Sequence, residues 1–543
     1  MKRRHFLSLT ALGTSLISSF GLLACQVKPS EEKDQIQVNF NEFPFNEFPF
    51  NESGINELQE MMQTGKLSAE ELVKAYLNRI NQIDKKGPAI NAVIEINTEA
   101  LALARELDLE RKVGKSRGPL HGIPIMLKDN IDTGDKMMTS AGSLALEGNF
   151  AEEDAFVVKQ LRNAGAIILG KTNLSEWANF RSTRSSSGWS GRGGQTHNPY
   201  VLDRSPCGSS SGSAVAVAAN LCVAALGTET DGSVVCPSGV NGVVGIKPSL
   251  GLVSRTGIIP IAHSQDTAGP MAKTVKDAAI LLTVMLGQDE NDSITMNPNN
   301  RSINYAEGLH IDALKGAKVG VVREFFGFHS EVDKVMEKAL DDLKSAGAEL
   351  IDIQLENINQ YGDDEYEVLL YEFKDGLNKY LSKCKGLKVT SLEDIIQFNE
   401  KHKELEMPWF DQEIMHLAQQ KGDLNDKAYL SALKKCKDLA GKKGIDATLK
   451  KHKLDVLVAP TNGPAWNIDL VNGDHFGGGS SAPAAVSGYP NVTVPAGYVH
   501  ALPIGLSFFA ESFSEQKIIR YAYAYEQATK HRKAPEFYTS PGL

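Results

Sequence analysis

The stretch from Pro206 to Ser233, PCGSSSGSAVAVAANLCVAALGTETDGS, constrains this chain more than any other. Its Gly/Ser run, Gly208 to Ser213, leads into small apolar residues, Ala214 to Leu226, that read as a buried helix. A flexible linker would not be continued by a segment that has to leave water, so the run is fixed in a packed setting. Glycine and serine leave backbone N–H groups unshielded, and N–H groups at a helix start suit an anion or a developing oxyanion. The stretch then closes on Gly227-Thr228-Glu229-Thr230-Asp231-Gly232-Ser233.

Two common serine patterns occur and neither is convincing. Gly208-Ser209-Ser210-Ser211-Gly212 matches G-x-S-x-G, which would make Ser210 a nucleophile. That elbow requires a hydrophobic strand before it, whereas Tyr200 to Pro206 is polar and broken by proline. Ser-x-x-Lys occurs at Ser382/Lys385, Ser431/Lys434 and Ser514/Lys517, always in charged helical surroundings, which shows how little that pattern carries. Upstream, Lys128 ends the apolar run of His121-Gly122-Ile123-Pro124-Ile125-Met126-Leu127. A buried lysine has its pKa depressed by up to about 3–5 units and can serve as a neutral base. Taken alone, that segment reads more simply as a strand-end lysine reaching back to water.

The rest of the chain is α/β in pattern. Ser68 and Glu71 form a capping box before Leu72, Val73, Tyr76, Ile80 and Ile83 on one helix face. A second helix is expected from Glu99 to Glu110. Helical and strand patterns then alternate: Asp154 to Asn163 before Ala166 to Leu169, and Val319 to Val322 before Glu331 to Ala346. Residues 355–452 are charged and helical in period, an insertion packed on the sheet. Strands resume at Leu454 to Val458, Val492 to Val494 and Ile504 to Phe508, and a last helix runs from Glu515 to Lys530. With no long linker between these blocks, one large domain with a central mixed β-sheet covered by helices is expected over residues 54–543.

The N-terminus reads as a leader. Lys2-Arg3-Arg4 precedes a weakly apolar stretch, Phe6 to Ala24. Arg3-Arg4-His5-Phe6-Leu7 resembles a twin-arginine signal, and Leu22-Leu23-Ala24-Cys25 a lipobox whose Cys25 would be lipidated. The expectation is a signal peptide over 1–24 and a lipidated, flexible tether over 25–53 carrying the repeat Asn41-Glu42-Phe43-Pro44-Phe45 and Asn46-Glu47-Phe48-Pro49-Phe50. This would make an exported bacterial lipoprotein, held at a membrane only through its anchor, in the periplasm or at the cell surface. A formal net charge of −10 would repel a phosphate backbone, so no nucleic-acid partner is expected. Six cysteines in 543 residues make no disulfide scaffold. Cys207, Cys222 and Cys236 read as small packing residues, and Trp177 and Trp189 as core aromatics that alternatively line a substrate channel. His121 and His197 are further pocket candidates, and no cluster has metal-ligand spacing.

Together the segments around Lys128, Ser209 and Ser233 resemble the amidase signature family. Ser209 and Ser233 stand 24 positions apart, the second closing an Asp-Gly-Ser turn. Gly191 to Tyr200, Cys236-Pro237, Val243 to Pro248 and Ser264 to Met271 are similar to its flanking segments, and the resemblance spans about residues 54 to 535. It implies a Ser-cisSer-Lys triad: Ser233 as nucleophile, Ser209 as bridging serine on a cis peptide with Gly208, and Lys128 as base, with Ser210 in support. The N–H groups of Thr230, Asp231, Gly232 and Ser233 would form the oxyanion hole. No cofactor or metal is implied. The family more often has Gly where Cys207, Ser211 and Asp231 stand, and this spelling is similar to the bacterial peptide amidase branch. The implied activity is removal of a peptide's C-terminal amide through an acyl-enzyme. A broad amidase acting on small aliphatic or aromatic amides and a non-catalytic ligand-binding surface lipoprotein remain as alternatives.

Overall fold

Apolar runs buried on both faces build an eleven-stranded mixed sheet in the computed structural model, which describes residues 43–44, 47–297 and 303–540. In chain order the strands are β1 (Val93–Ile96), β2 (Pro124–Lys128), β3 (Ile167–Thr172), β4 (Trp189–Ser190), β5 (Gly194–Gln195), β6 (Ala224–Glu229) and β7 (Val244–Lys247). They continue with β8 (Thr267–Ala272), β9 (Lys318–Val322), β10 (Glu349–Ile353), β11 (Val456–Pro460), β12 (Asn491–Val499) and β13 (Leu502–Phe509). β4 and β5 form a separate hairpin, and the large sheet has the order β1-β3-β2-β6-β8-β7-β12-β13-β11-β9-β10. β2 lies between two parallel neighbours, β3 and β6, while β6 pairs antiparallel with β8. This mixture of directions gives the single α/β domain that the alternating pattern predicts. Ser68 caps its helix, Ala69–Ile80, in a reciprocal pairing with Glu71, as the motif predicts.

The expected helix from Ala214 to Leu226 is corrected. The helix covers only Ser211–Ala218, and Ala224 already begins β6. The break falls at Asn220, whose φ of +56° is a left-handed conformation that asparagine tolerates. Its side-chain oxygen accepts from Lys273 Nζ at 3.0 Å and from Glu52 N at 3.0 Å, fixing the turn. A short buried helix and a buried strand share one composition, so hydrophobicity could not separate them.

The tether is corrected in its last stretch. Phe43, Phe48 and Phe50 are 8, 5 and 1% exposed and belong to the main core. Phe48 packs 5.2 Å from the Tyr76 ring and lies under the Arg79 guanidinium. Prolines deny this stretch a helix, yet three aromatic rings bury enough apolar surface to dock it without one. The leader, residues 1–24, and Cys25 lie outside the described residues. Among the described residues, no helix is long and apolar enough to cross a membrane.

The charged block is helical as its period predicts, with helices Gly362–Leu381, Leu392–Lys401, Glu413–Gln419, Lys427–Cys436 and Asp446–His452. Its helices build two smaller cores, one around Phe373, Leu377 and Met415 that Trp177, Phe180 and Ile261 share, and one around Tyr361, Tyr371 and Tyr429.

Candidate active site

β2 carries Lys128 at its C-terminal end, inside the sheet, where all five strand residues are buried. The side chain has no route to water, which corrects the reading of a lysine reaching outward. Lys128 Nζ lies 2.7 Å from Ser209 Oγ, 2.8 Å from Thr228 Oγ1 and 3.3 Å from the Thr228 carbonyl. Burial pushes its pKa down to about 7, against the opposing charges of Asp266 and Glu229. A neutral amine has two N–H groups and a lone pair. It can therefore donate twice to Thr228 and accept from the Ser209 hydroxyl.

Ser209 follows a cis peptide bond with Gly208. Ser210 links the two serine segments: its N–H donates to the Ser233 carbonyl at 3.2 Å. Its hydroxyl donates to Thr228 O and accepts from Thr228 N, each at 3.1 Å. These bonds occupy Ser210 fully and suit the supporting place the sequence suggested. They also explain why the G-x-S-x-G match was empty. Ser233 remains 8% exposed while Ser209 and Ser210 are fully enclosed. Among the described residues, Ser233 Oγ makes no hydrogen bond to Ser209; the two segments are held together through the backbone.

Cys207 and Cys236 form a disulfide that ties the Gly/Ser loop to the helix after Ser233, Val235–Val240. The reading of these cysteines as unpaired packing residues is thereby corrected. The fold brings positions 29 residues apart to a Cα separation of 6.2 Å, within bridging range. Cys222 is free and buried, as a packing residue would be.

The turn Thr230–Ser233 is held by its side chains and carbonyls, and its N–H groups are left over. Glu229 accepts from Val234 N and Val235 N at 2.8 and 2.9 Å, and the Gly232 carbonyl accepts from Cys236 N at 2.8 Å. Thr230 Oγ1 donates to Asp266 at 2.6 Å. Asp266 in turn accepts from Ile261 N and Ala262 N, and burial raises its pKa to about 6. Gly232 sits at φ +78°, and a Cβ there would meet Ser481 Oγ at 3.0 Å. Among the described residues, the N–H groups of Thr230, Asp231, Gly232 and Ser233 donate to no protein acceptor. Nearly all enclosed N–H groups are paired, so four in succession without a protein partner are donors open to a ligand.

A cavity of about 670 Å³ adjoins this group, with Asn130, Thr228, Thr230, Asp266, Arg255 and Tyr380 in its wall. Asn130 Nδ2 donates to Thr228 Oγ1 at 3.0 Å, the same oxygen that Lys128 engages. The remaining sequence candidates are structural. His121 accepts from Arg117 N and bonds the Leu107 carbonyl, and His197 bonds the Leu202 carbonyl. Trp189 packs edge-on against Phe410 above the Arg181 guanidinium, and Trp177 is buried in a satellite core. Asp266, Gln265, Glu229 and Ser481 were missed as individual site residues. Asp266 and Gln265 lie in the Ser264 to Met271 segment, where an acid and an amide amid small residues were the available signal. Glu229 and Ser481 gave none.

Comparison with known proteins agrees with this geometry. The family model described as Amidase matches residues 71–519. A probable amidase of Arabidopsis thaliana is 41% identical over 494 residues, covering 89% of this chain and 91% of the relative. The crystal structure of a peptide amidase bound to the competitive inhibitor chymostatin is 50% identical with a TM-score of 0.88, covering 90% of this chain and all of that one. Native peptide amidase of Stenotrophomonas maltophilia is 49% identical with a TM-score of 0.86, covering 91% and 100%. The curated relatives also overturn the expectation of an exported, membrane-anchored lipoprotein. They are plant and fungal amidases and Glu-tRNA(Gln) amidotransferase subunits. An amide hydrolase on a single large α/β domain, this chain belongs to the amidase signature family.

Proposed function

We propose that the chain hydrolyses the C-terminal carboxamide of peptides, with Ser233 as nucleophile, Ser209 as proton relay and Lys128 as base. The observation that carries the reading is the row of four unpartnered N–H groups at Thr230–Ser233, next to a buried lysine whose pKa is pushed down to about 7. Neutral Lys128 takes the proton of Ser209, Ser209 takes that of Ser233, and Ser233 Oγ bonds to the amide carbonyl carbon. The N–H row meets the negative charge that gathers on the carbonyl oxygen, where one such donor is worth roughly 3–4 kcal/mol. The C–N bond then breaks, and the relay run backwards delivers a proton to the departing nitrogen, which leaves as ammonia. Water enters, gives its proton to the same relay and attacks the ester. The acid is released and Ser233 regains its hydrogen.

The preference for peptide amides rests on likeness to the two peptide amidase structures and on a cavity large enough for more than a small amide. The test is ammonia release from a panel of amidated dipeptides against acetamide, propionamide and benzamide. A kcat/KM for the dipeptides at least about tenfold above the simple amides is expected. Equal or reversed preference would replace this reading with a broad amidase.

A further inference from the structure

Behind the Thr230–Ser233 turn, outside the triad, two carboxyl groups from distant parts of the chain meet. Asp231 stands in the turn, and Glu365 in the first turn of the helix Gly362–Leu381. Each carboxyl lies within electrostatic reach of the other, Asp231 beside the Ser481 hydroxyl. Gln265 Nε2 donates both to the Thr230 carbonyl at 3.2 Å and to Glu365 Oε1 at 3.0 Å. Two ionised carboxylates enclosed so close together repel each other, which favours one proton held in the pair. We propose that Glu365 is a positioning residue of the oxyanion turn, its carboxyl donating to Asp231 while it accepts from Gln265, so that the helical block fixes the N–H row. This rests on the reading of that row as the oxyanion hole.

Burial, and then the charge of Asp231, raise the pKa of Glu365, and burial raises that of Asp231. A proton is thereby kept in the pair at neutral pH. As pH rises, loss of that proton leaves two like charges in contact and the bond is broken. Other ionisable groups face the pair. Lys247 on β7 feels Asp231, Glu229 and Glu515 and has its own pKa pushed down to about 8 by burial. Glu229 on β6 is held by two N–H groups, and Asp266 reaches the turn through Thr230. Tyr361 and Cys436 also face Glu365, and burial pushes both upward, Cys436 to about 12. Of these, Lys247 is the one that titrates near the same range, and the test separates it.

Glutamine at 365 can donate to Asp231 and accept from Gln265 without an ionisable proton. The experiment is kcat and KM for an amidated dipeptide across pH in wild type, E365Q and E365A, with S233A as control. Wild-type kcat is expected to rise through about pH 7 as Lys128 loses its proton and to fall on the alkaline side. E365A should lose roughly ten- to a hundredfold in kcat with KM changed less than about threefold. E365Q should restore most of that loss and keep the rising limb while losing the alkaline fall. An alkaline fall that persists unchanged in E365Q would assign it to Lys247 and overturn the proposal. So would E365A with wild-type kcat, or a loss confined to KM. Should E365A not fold, the E365Q profile alone decides. Activity in S233A would instead overturn the assignment of the nucleophile, whatever the position 365 variants do.

Discussion

The segment Ser209–Thr230 and the helical block at 362–452 make opposite contributions to one site. In the first, every residue is buried and none but Glu229 is charged. Small side chains let backbone approach backbone: a Cβ at Gly212 would lie 2.3 Å from the Ala92 carbonyl oxygen, and one at Gly227 2.6 Å from Ser210 Oγ. The second is rich in surface charge, yet it sends three acidic side chains toward the loops around the site. Glu365 accepts from Gln265 Nε2 at 3.0 Å; Glu372 accepts from Ser264 N at 2.8 Å and Tyr429 at 2.7 Å. Glu406 accepts from Ser143 Oγ at 2.7 Å and Leu144 N at 2.6 Å. The first region brings Ser209 and Thr228 against Lys128, and the second clamps loops around them. The lesson is that the block is a wall of the site rather than a passive insertion.

That division makes graded predictions. Ser233→Ala should lower amide hydrolysis by roughly 10⁴-fold or more with the fold intact by circular dichroism. Activity within tenfold of wild type would break the comparison at its root. Lys128→Met should cost on the order of 10³-fold in kcat and abolish the rise of kcat through about pH 7, because the group that must shed its proton is gone. A rising limb that survives in Lys128→Met would place the titrating base elsewhere. Gly232→Ala puts a side chain at φ +78° against Ser481 and should lower kcat by about 10²-fold through displaced N–H groups, with KM nearly unchanged. A KM effect instead would mean that the turn contacts substrate in the ground state.

In the block the expected effect is on stability. Glu406→Ala leaves Ser143 Oγ and Leu144 N enclosed without their acceptor and should cost about 2–4 kcal/mol, read as a lower Tm. Its kcat at a temperature where it is folded should fall by less than about tenfold. A larger kcat loss at full stability would move Glu406 from the wall into the reacting group.

The two regions also differ in how much of them could be read beforehand. The segments around Lys128 and Ser209 were legible because their pattern is local: a Gly/Ser run before small apolar residues, and a lysine closing an apolar strand. Even there the helix at 214–226 dissolved into helix, turn and strand, since composition does not distinguish a buried strand from a buried helix. The docking of Phe43, Phe48 and Phe50 was illegible because prolines report only what secondary structure they forbid. The carboxylates of the block looked like any solvated helix face, for their partners lie between about 57 and 263 positions away in sequence. The Cys207–Cys236 bridge needed the fold to bring its partners within reach.

Sequence alone determined the α/β character, the small-residue stretch that must be buried, and the order Lys128, Ser209, Ser233. Periodicity, side-chain size and spacing are properties of the chain itself. The tertiary structure decided that Lys128 is buried, that among the described residues four consecutive N–H groups are left without partners, and that Gln265 ties Glu365 to Thr230. Each of these depends on desolvation and on contacts between distant segments, which exist only once the sheet has closed around the site.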